Sequence, residues 1–265
     1  MNMNTQNQFQ EISLAEAKKI MLDILIEFDQ ICKKNNLTYW LDAGTLLGAI
    51  RHKGFIPWDD DIDVAMPRDD YDKFLKIYNK ELSPHLFLQT KESDLEYCQY
   101  YAKIRNTNTR YIDHSEKGKD IKYNQGIFID IFPVNYIDTK MNRIYPFLRF
   151  LGNFFTKNRF YIKYFNMDIY KYYIKIFNRL HHHKNNFIRK GPEIVSKLKS
   201  IEKKDIFPLK EVEFEDFVFL APYNYDKYLK EIYGDYMTLL PLEQREQMKH
   251  SDEIYIVSDN KMLNK

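Results

Sequence analysis

Residues 37–67 read LTYWLDAGTLLGAIRHKGFIPWDDDIDVAMP, a stretch in which two predicted strands enclose a glycine turn and a short helix. LTYWLD and DIDVAM are predicted as strands because each is a short apolar run bounded by turn residues. Gly44 ends the first strand, Thr45 is predicted to cap the helix TLLGAIR, and the loop HKGFIP leads into the second strand. The order of elements is therefore strand, glycine turn, helix and acidic strand.

The acidic strand carries four aspartates within five positions, Asp59, Asp60, Asp61 and Asp63. Neighbouring carboxylates repel each other, and burying one costs several kcal/mol unless a cation or hydrogen bonds compensate. In an extended chain, side chains two residues apart share a face, so Asp59, Asp61 and Asp63 are predicted to form one row. Carboxylate oxygens at this density suit Mg²⁺ or Mn²⁺, and we predict this cofactor at the row.

The acidic stretch has two alternative interpretations, a calcium loop and a solvated turn. A calcium loop of the EF-hand type is excluded, because Val64 stands where that loop needs glycine and Asp70 where it needs glutamate. A solvated acidic turn after Pro57 accounts for the first two carboxylates. It does not account for Asp61 and Asp63, which enter an apolar strand.

A phosphate-binding turn is predicted upstream of the row. Backbone N–H groups at Gly44 and Thr45, together with the positive end of the following helix, could cradle a phosphate. Arg51, Lys103 and Arg105 are predicted to clamp phosphates, since alternation places the last two on one face of their strand. The alternative for each of these cations is an ordinary surface charge.

Asp130 is a third candidate carboxylate, placed between two isoleucines in GIFIDIF. A charged group inside an apolar strand is costly without a partner. We predict that Asp130 completes the site and accepts the proton of an attacking hydroxyl. The alternative is an acid at a strand end that is hydrogen-bonded to the backbone.

The remaining pattern predicts an α+β fold, with a mixed sheet flanked by helices. Ser13 and Glu16 form a capping-box signature at the start of a long amphipathic helix. Further predicted elements are the strands LFLQT, EYCQYYAKIR, TRYID and GIFIDIFPV, the helix DDYDKFLKIYNKEL, the hairpin around VEF and FVF, and the helix NYDKYLKEIYG. The tail after Pro241 is predicted to be mobile. The predicted units are an N-terminal helix (1–36), a core that carries the glycine turn and the acidic strand (37–139), a largely helical basic insertion (140–204) and a C-terminal hairpin and helix (205–265).

Composition narrows the class of protein. The chain has 265 residues, of which 44% are hydrophobic, so it can bury a sizeable core. Its two cysteines suit neither a disulfide framework nor a four-ligand zinc site, which indicates a reducing compartment. The N-terminal residues lack a signal-peptide pattern, and no run of about 20 apolar residues predicts a membrane span. We therefore expect a cytoplasmic protein.

Charge is unevenly distributed along the chain. Residues 140–190 contain twelve Lys or Arg and one Asp, a net charge of +11, so the rest of the chain carries about −9. Such a segment, dense in aromatics, suits an anionic membrane surface, an anionic polymer or a nucleic acid. It is equally consistent with a basic helical hairpin whose lysines are solvated. Peripheral contact with the inner face of the cytoplasmic membrane is our hypothesis for it.

These motifs together resemble the LicD family. YWLDAGTLLGAIRHKGFIPWDDDIDVAMPRDDYDKF, AKIR, GIFIDIFP and APYNYDKYLKEIYGDYMTL carry the resemblance, which runs from about residue 20 to 135 and from about 206 to 240. Known members are bacterial phosphorylcholine transferases, and their relatives include fukutin-type ribitol-phosphate transferases. The resemblance implies a nucleotidyltransferase-like fold, and the residues that it maps are Gly44 and Thr45 at the phosphate turn, Asp61 and Asp63 as metal aspartates, Asp59 as an extra ligand and Asp130 as the later carboxylate.

The resemblance also implies the reaction. A phospho-alcohol, typically phosphocholine from CDP-choline, is transferred to a hydroxyl of a glycan or lipid-linked oligosaccharide destined for teichoic acid, lipopolysaccharide or capsule, and CMP leaves. No nucleic-acid partner is expected. Two departures from the family pattern are Thr45, at a position that is usually smaller, and Leu240, which precedes Pro241 where the family has proline. Alternatives are a nucleotidyltransferase that adds NMP from NTP to a small molecule or RNA, transfer of another CDP-linked alcohol such as ribitol phosphate, and a catalytically silent binding module.

Overall fold

The computed structural model describes residues 9–140, 169–179, 184–194, 200–245 and 250–257, together with residues 143, 144, 147 and 150. The strands are β1 (Phe9–Glu11), β2 (Trp40–Leu41), β3 (Asp63–Pro67), β4 (Leu86–Gln89), β5 (Ala102–Asn106), β6 (Thr109–Asp113), β7 (Phe128–Ile137), β8 (Phe187–Lys190), β9 (Ile201–Glu202), β10 (Lys210–Phe214), β11 (Phe217–Ala221) and β12 (Ser251–Val257). The helices are α1 (Leu14–Lys34), α2 (Ala43–His52), α3 (Arg68–Glu81), α4 (Ile169–Asn178), α5 (Lys203–Ile206), α6 (Tyr225–Tyr233) and α7 (Leu242–Arg245).

A seven-stranded mixed sheet forms the centre of the fold. Its path runs β2-β3-β7-β5-β4, and β8 continues it from β7 to β9. The pair β3–β7 is parallel, whereas the other pairs of this sheet are antiparallel. All ten residues of β7 are buried, and the strand pairs with β3 along one edge and with β5 and β8 along the other. The predicted α+β class is confirmed.

Two helices cover this sheet through apolar faces that the sequence pattern predicts. At the start of α1 the Ser13 and Glu16 side chains form the reciprocal capping box, and buried residues such as Met21, Leu25 and Phe28 recur along one face. α3 buries Tyr71 and Phe74, and the ring of Phe74 packs edge-on against Phe28. One main hydrophobic cluster therefore joins both helices to the sheet.

The prediction of a mobile tail after Pro241 is wrong for residues 251–257, while residues 246–249 and 258–265 lie outside the described residues. β12 pairs with β1 on one side and with β6 on the other, forming a separate three-stranded antiparallel sheet. The polar composition of this segment hides the alternation of Ile254 and Ile256 with Glu253 and Tyr255, which is the pattern of a half-buried strand.

Three other predictions need correction. β3 begins at Asp63, so Asp59 and Asp61 lie in the preceding loop and are not aligned by a strand pleat. β5 begins at Ala102, and residues 96–101 form no regular strand. Within residues 140–204 the described part contains α4 but also β8 and β9, which belong to the main sheet.

Part of the predicted basic helical segment 140–204 lies outside the described residues: 141–168 apart from four positions, 180–183 and 195–199. Among the residues that are described, no helix combines the length and the apolar character needed to cross a bilayer.

Candidate active site

A cleft of about 230 Å³ opens between the start of α2, the loop before β3 and the chain that follows α6. It is lined by Ala43, Gly44, Leu47, Arg51, Ile56, Trp58, Asp59, Asp61, Asp63, Tyr233, Asp235, Tyr236, Thr238, Leu240 and His250. Five residues predicted from the sequence thus share one cleft: Gly44, Arg51, Asp59, Asp61 and Asp63. The predicted row of three aspartates exists as a group, although a loop rather than a strand places two of them.

The parallel pair of central strands brings Asp63 and Asp130 together. They are direct partners in the β3–β7 register, and the Asp130 amide donates to the Ile62 carbonyl over 2.7 Å. The Asp63 amide donates to Thr45 Oγ1 over 2.8 Å. The buried Thr45 hydroxyl therefore fixes the backbone that carries Asp63.

The helix cap is Asp42 rather than Thr45, and the prediction for Thr45 is wrong in this respect. Asp42 Oδ1 accepts a hydrogen bond from the Ala43 amide over 2.8 Å and another from the Tyr228 hydroxyl over 2.6 Å. An aspartate directly before a short apolar helix is a standard cap signal, so the sequence already contained this information.

Gly44 allows a close approach between α2 and the acidic loop. A Cβ atom added at Gly44 would lie 2.6 Å from Asp59 Oδ2, closer than a carbon and an oxygen can pack. The close approach that the glycine was predicted to permit is therefore made by a carboxylate of this chain.

Burial and mutual repulsion make it unfavourable for the three carboxyl groups of the row to carry a negative charge. Burial raises the pKa of Asp59 to about 6, and the charge of Asp60 adds to the effect. Burial also raises the pKa of Asp61 to about 7, with the Asp59 charge as the next cause. The pKa of Asp63 is raised well above its usual value by burial and by the charges of Asp61 and Asp130. Each of the three carboxyl groups is therefore harder to ionise than a solvent-exposed aspartate in the absence of a cation.

Asp60 behaves differently because β12 supplies it with donors. Its carboxylate accepts hydrogen bonds from the Ser251 hydroxyl over 2.6 Å, the Ser251 amide over 2.7 Å and the His250 amide over 3.0 Å. Burial opposes ionisation, but these hydrogen bonds hold the pKa of Asp60 well below its usual range. Asp60 is therefore a structural anchor that ties the acidic loop to β12.

His250 extends from the same segment into the cleft. Its Nδ1 lies 3.2 Å from Asp60 Oδ1 and 3.6 Å from Asp61 Oδ2. The hydrogen bond to Asp60, with the nearby Asp61 charge, raises the pKa of His250 to about 9. Sequence patterns did not mark this residue, because a lone histidine in a polar tail belongs to no motif.

Lys190, at the end of β8, was also missed. Its Nζ lies 2.8 Å from Asp42 Oδ2; the Asp42 side chain is fully buried and the Lys190 side chain is 10% exposed. The Lys190 charge also favours the ionised form of Asp63. The basic segment therefore contributes a cation beside the carboxylate row, at a position that no sequence pattern marks.

The predicted phosphate clamps lie in three different places. Arg51 lines the cleft, where its Nη1 donates to the Tyr236 carbonyl over 2.8 Å. Lys103 is buried, and its Nζ lies 2.5 Å from Asp130 Oδ1. Arg105 is buried away from this cleft, and it donates to the Gln89 side chain and to the Gly126 carbonyl. Their predicted contacts with phosphate stay predictions.

The donor set of the cleft suits a hard divalent cation. Three carboxylates with raised pKa values line one cavity, and a bound cation would relieve the repulsion among them. As the side chains stand, no three acidic, imidazole or thiol groups within the described ranges converge closely enough to hold a metal ion. Binding therefore requires carboxylates of the row to rotate towards a common point.

Comparisons with known proteins agree with this architecture. The family described as "LicD/FKTN/FKRP, nucleotidyltransferase domain" matches residues 36–148. The lipopolysaccharide cholinephosphotransferase LicD of Haemophilus influenzae is 31% identical over 93% of this chain and 99% of its own length. An uncharacterised protein of Rickettsia prowazekii is 27% identical over 55% of the chain and 52% of its own length. The human ribitol 5-phosphate transferase FKRP is 53% identical over a 32-residue stretch, 12% of this chain and 6% of its own.

The sheet, the acidic cleft and the matched domain define a transferase with a domain of the nucleotidyltransferase type. The chain belongs to the LicD family and is a LicD-type transferase.

Proposed function

We propose that this protein transfers phosphocholine from CDP-choline to a hydroxyl of a cell-surface glycan precursor and releases CMP. The observation that carries the proposal is the cleft in which Asp59, Asp61 and Asp63 line one side. The near full-length likeness to a lipopolysaccharide cholinephosphotransferase supports the choice of cargo and of a lipopolysaccharide-type acceptor. Teichoic acid and capsule precursors offer the same hydroxyl chemistry. The short match to a ribitol 5-phosphate transferase supports CDP-ribitol as the second candidate donor.

The chain's own residues divide the work. Asp59, Asp61 and Asp63 would hold Mg²⁺ or Mn²⁺, which when bound supplies positive charge against the diphosphate of the donor. Thr45 holds the backbone of Asp63 in place. Arg51, on the cleft wall, is placed to meet a phosphate oxygen of the donor.

Asp130 is our candidate for the general base. The Lys103 ammonium lies 2.5 Å from one oxygen of Asp130 and orients the carboxylate beside Asp63. A carboxylate in this position accepts the proton of the acceptor hydroxyl as its oxygen attacks the donor phosphorus.

The proposed substrates also indicate where in the cell the reaction takes place. We propose that the reaction takes place on the cytoplasmic side, against the inner face of the membrane, where lipid-linked acceptors are assembled. The basic segment 140–190, with its net charge of +11, would attract anionic lipids, and its central part lies outside the described residues. We expect the protein to sediment with anionic vesicles at low salt and to be released at high salt. Absence from the pellet at low salt would contradict the contact.

A donor panel tests the proposed reaction. The purified protein is incubated with Mg²⁺, a lipopolysaccharide core acceptor and, in separate samples, CDP-choline, CDP-ribitol or each NTP. We expect CMP from CDP-choline, whereas pyrophosphate from an NTP would identify a nucleotidyltransferase instead.

Two variants make the panel specific for the acidic cleft. Asp61→Asn keeps the shape of the side chain and removes the charge, so we expect CMP release to fall at least about 100-fold. Asp216→Asn changes an exposed aspartate in the β10–β11 turn and serves as the matched control with full activity. Near wild-type activity of Asp61→Asn would show that the acidic row is not the reaction centre.

A further inference from the structure

A second cleft, of about 440 Å³, lies on the other side of the central carboxylates. β5, β6 and the start of β7 form its floor, and residues 97–101 and 115–123 form its walls. Its lining consists of Tyr97, Cys98, Gln99, Tyr101, Lys103, Arg105, Tyr111, Asp113, Ser115, Glu116, Lys119, Ile121, Tyr123 and Phe128. Its volume is within the usual range for a small-molecule site.

One ion pair connects the two clefts. Lys103 lines the second cleft, and its ammonium contacts Asp130 Oδ1 over 2.5 Å. Asp130 is the direct neighbour of Asp63 in the sheet, and Asp63 lines the first cleft. Lys103 is the neighbour of Asp130 on the other strand, so the two clefts flank Asp130 from opposite sides.

The charged side chains of the second cleft are already engaged by the protein. Arg105 donates to Gln89 and to the Gly126 carbonyl, and Lys119 donates to the Ser115 carbonyl. Glu116 accepts from the Tyr123 hydroxyl and from Gln125. These bonds occupy donors of the cations, and the cleft also offers tyrosine faces, hydroxyls and the Gln99 amide, which suit a neutral, polyhydroxylated molecule.

The Tyr97 hydroxyl is an independent indication of a ligand. Tyr97 lines this cleft and is only 3% exposed. Its hydroxyl has no hydrogen-bond partner among the described residues. A buried hydroxyl without a partner is costly, and a sugar hydroxyl in the cleft would satisfy it.

We propose that the second cleft binds the acceptor sugar and presents its hydroxyl to Asp130, while the donor occupies the first cleft. The inference rests on the proposed function, and it adds that the acceptor binds in the second cleft. In the transfer step the acceptor oxygen forms a bond to the donor phosphorus, and the bond from that phosphorus to the CMP oxygen breaks. The electron pair of the broken bond leaves with CMP, and the hydroxyl proton passes to Asp130.

Cys98 offers a direct test, because it is exposed on the wall of the second cleft whereas the other cysteine, Cys32, is buried. Fluorescein-5-maleimide should therefore label Cys98 and obstruct the cleft. Saturation-transfer NMR is recorded with methyl glycosides of glucose, galactose, N-acetylglucosamine and N-acetylgalactosamine, and with inorganic phosphate as a competitor. We expect at least one glycoside to bind, labelling to reduce its signal at least about fivefold, and the glycoside to slow labelling.

Matched variants distinguish obstruction of the second cleft by the label from damage to the protein by the reagent. Cys98→Ser treated with the same reagent should keep the glycoside signal. Tyr97→Phe, which removes only the unpartnered hydroxyl, should weaken glycoside binding about five- to tenfold. Calorimetric titration with CDP-choline and Mg²⁺ should give the same affinity before and after labelling, because the donor uses the other cleft.

Several outcomes would overturn the proposal. One is a glycoside signal that survives labelling, and another is displacement of the glycoside by inorganic phosphate. Absence of glycoside binding, or a Tyr97→Phe protein whose glycoside binding is unchanged, would also overturn it. CMP release by the unlabelled enzyme is scored separately, so failure of CDP-choline as donor leaves the NMR result on the second cleft intact.

Discussion

The carboxylate of Asp63 is expected to lower the stability of the metal-free protein. Burial and the charges of Asp61 and Asp130 raise its pKa, so its ionised form is disfavoured in the folded state. Asp63→Asn should therefore raise the melting temperature by a few degrees and reduce transfer at least about 100-fold. Calorimetry and the CMP assay measure the two effects on one sample. A lower melting temperature would show that Asp63 is compensated within the fold.

The same carboxylates predict how stability depends on pH. The folded-state pKa values of Asp59 and Asp61 are about 6 and about 7, above the ordinary value of 3.8. The contribution of these two groups to the stability of the folded state is fully present below pH 3.8 and is lost as the pH rises through 6 and 7. His250, with its pKa raised to about 9, acts in the same direction: its contribution is complete below pH 6.5 and is lost through pH 9.

We therefore expect the melting temperature of the metal-free protein to fall between pH 5 and pH 8. Because Mg²⁺ binds the ionised row, its addition should raise the melting temperature more at pH 8 than at pH 5. Ca²⁺ and K⁺ at matched ionic strength serve as controls. An equal effect of Mg²⁺ at both pH values would contradict binding at the row.

At the residue scale, the sequence indicated the carboxylates of the proposed site and missed two of the groups that contact them. Asp61, Asp63 and Asp130 were found because carboxylates in apolar surroundings require a compensating partner. Lys190 and His250 were missed because their role depends on a partner more than 100 residues away, which a single sequence does not show.

At the scale of elements, β8 connects the basic segment to the site through the pair of Lys190 and Asp42. Removing one member of a buried ion pair leaves the other charge uncompensated, at a cost of about 3–5 kcal/mol. Lys190→Met should lower the free energy of unfolding by that order, as measured by urea denaturation. Lys204→Met is the matched control, because Lys204 pairs with Glu202 over 2.7 Å in an exposed position and should cost less than about 1 kcal/mol. Equal effects of the two substitutions would contradict the role of Lys190.

Elements with a strong local signal were predicted well. The strand TRYID coincides with β6, the hairpin around VEF and FVF with β10 and β11, and the capping box with the start of α1. β8 was not predicted, because FIRK lies in a segment whose charge and aromatic content indicate helix. Its partner β7 determines that it is extended, and strand pairing is a tertiary effect.

At the scale of the whole molecule, β12 holds the acidic loop in place. Ser251→Ala removes a hydroxyl that donates to the buried Asp60 over 2.6 Å, which should cost about 1.5–3 kcal/mol and reduce activity. Thr238→Ala removes a hydroxyl that donates to Asp235 over 2.7 Å at an exposed position and is the control for stability. Urea denaturation and the CMP assay provide both measurements. Comparable losses of stability in the two variants would show that the Asp60 anchor is unimportant.

The anchor at Asp60 also has a consequence for biosynthesis. The donors at His250 and Ser251 follow Asp60 by 190 and 191 residues. At about 5–20 residues per second, a ribosome needs roughly 10–40 s to synthesise that interval. Throughout this time the nascent chain carries an acidic loop that lacks its anchor to β12, so competence for magnesium and nucleotide should be acquired late in translation.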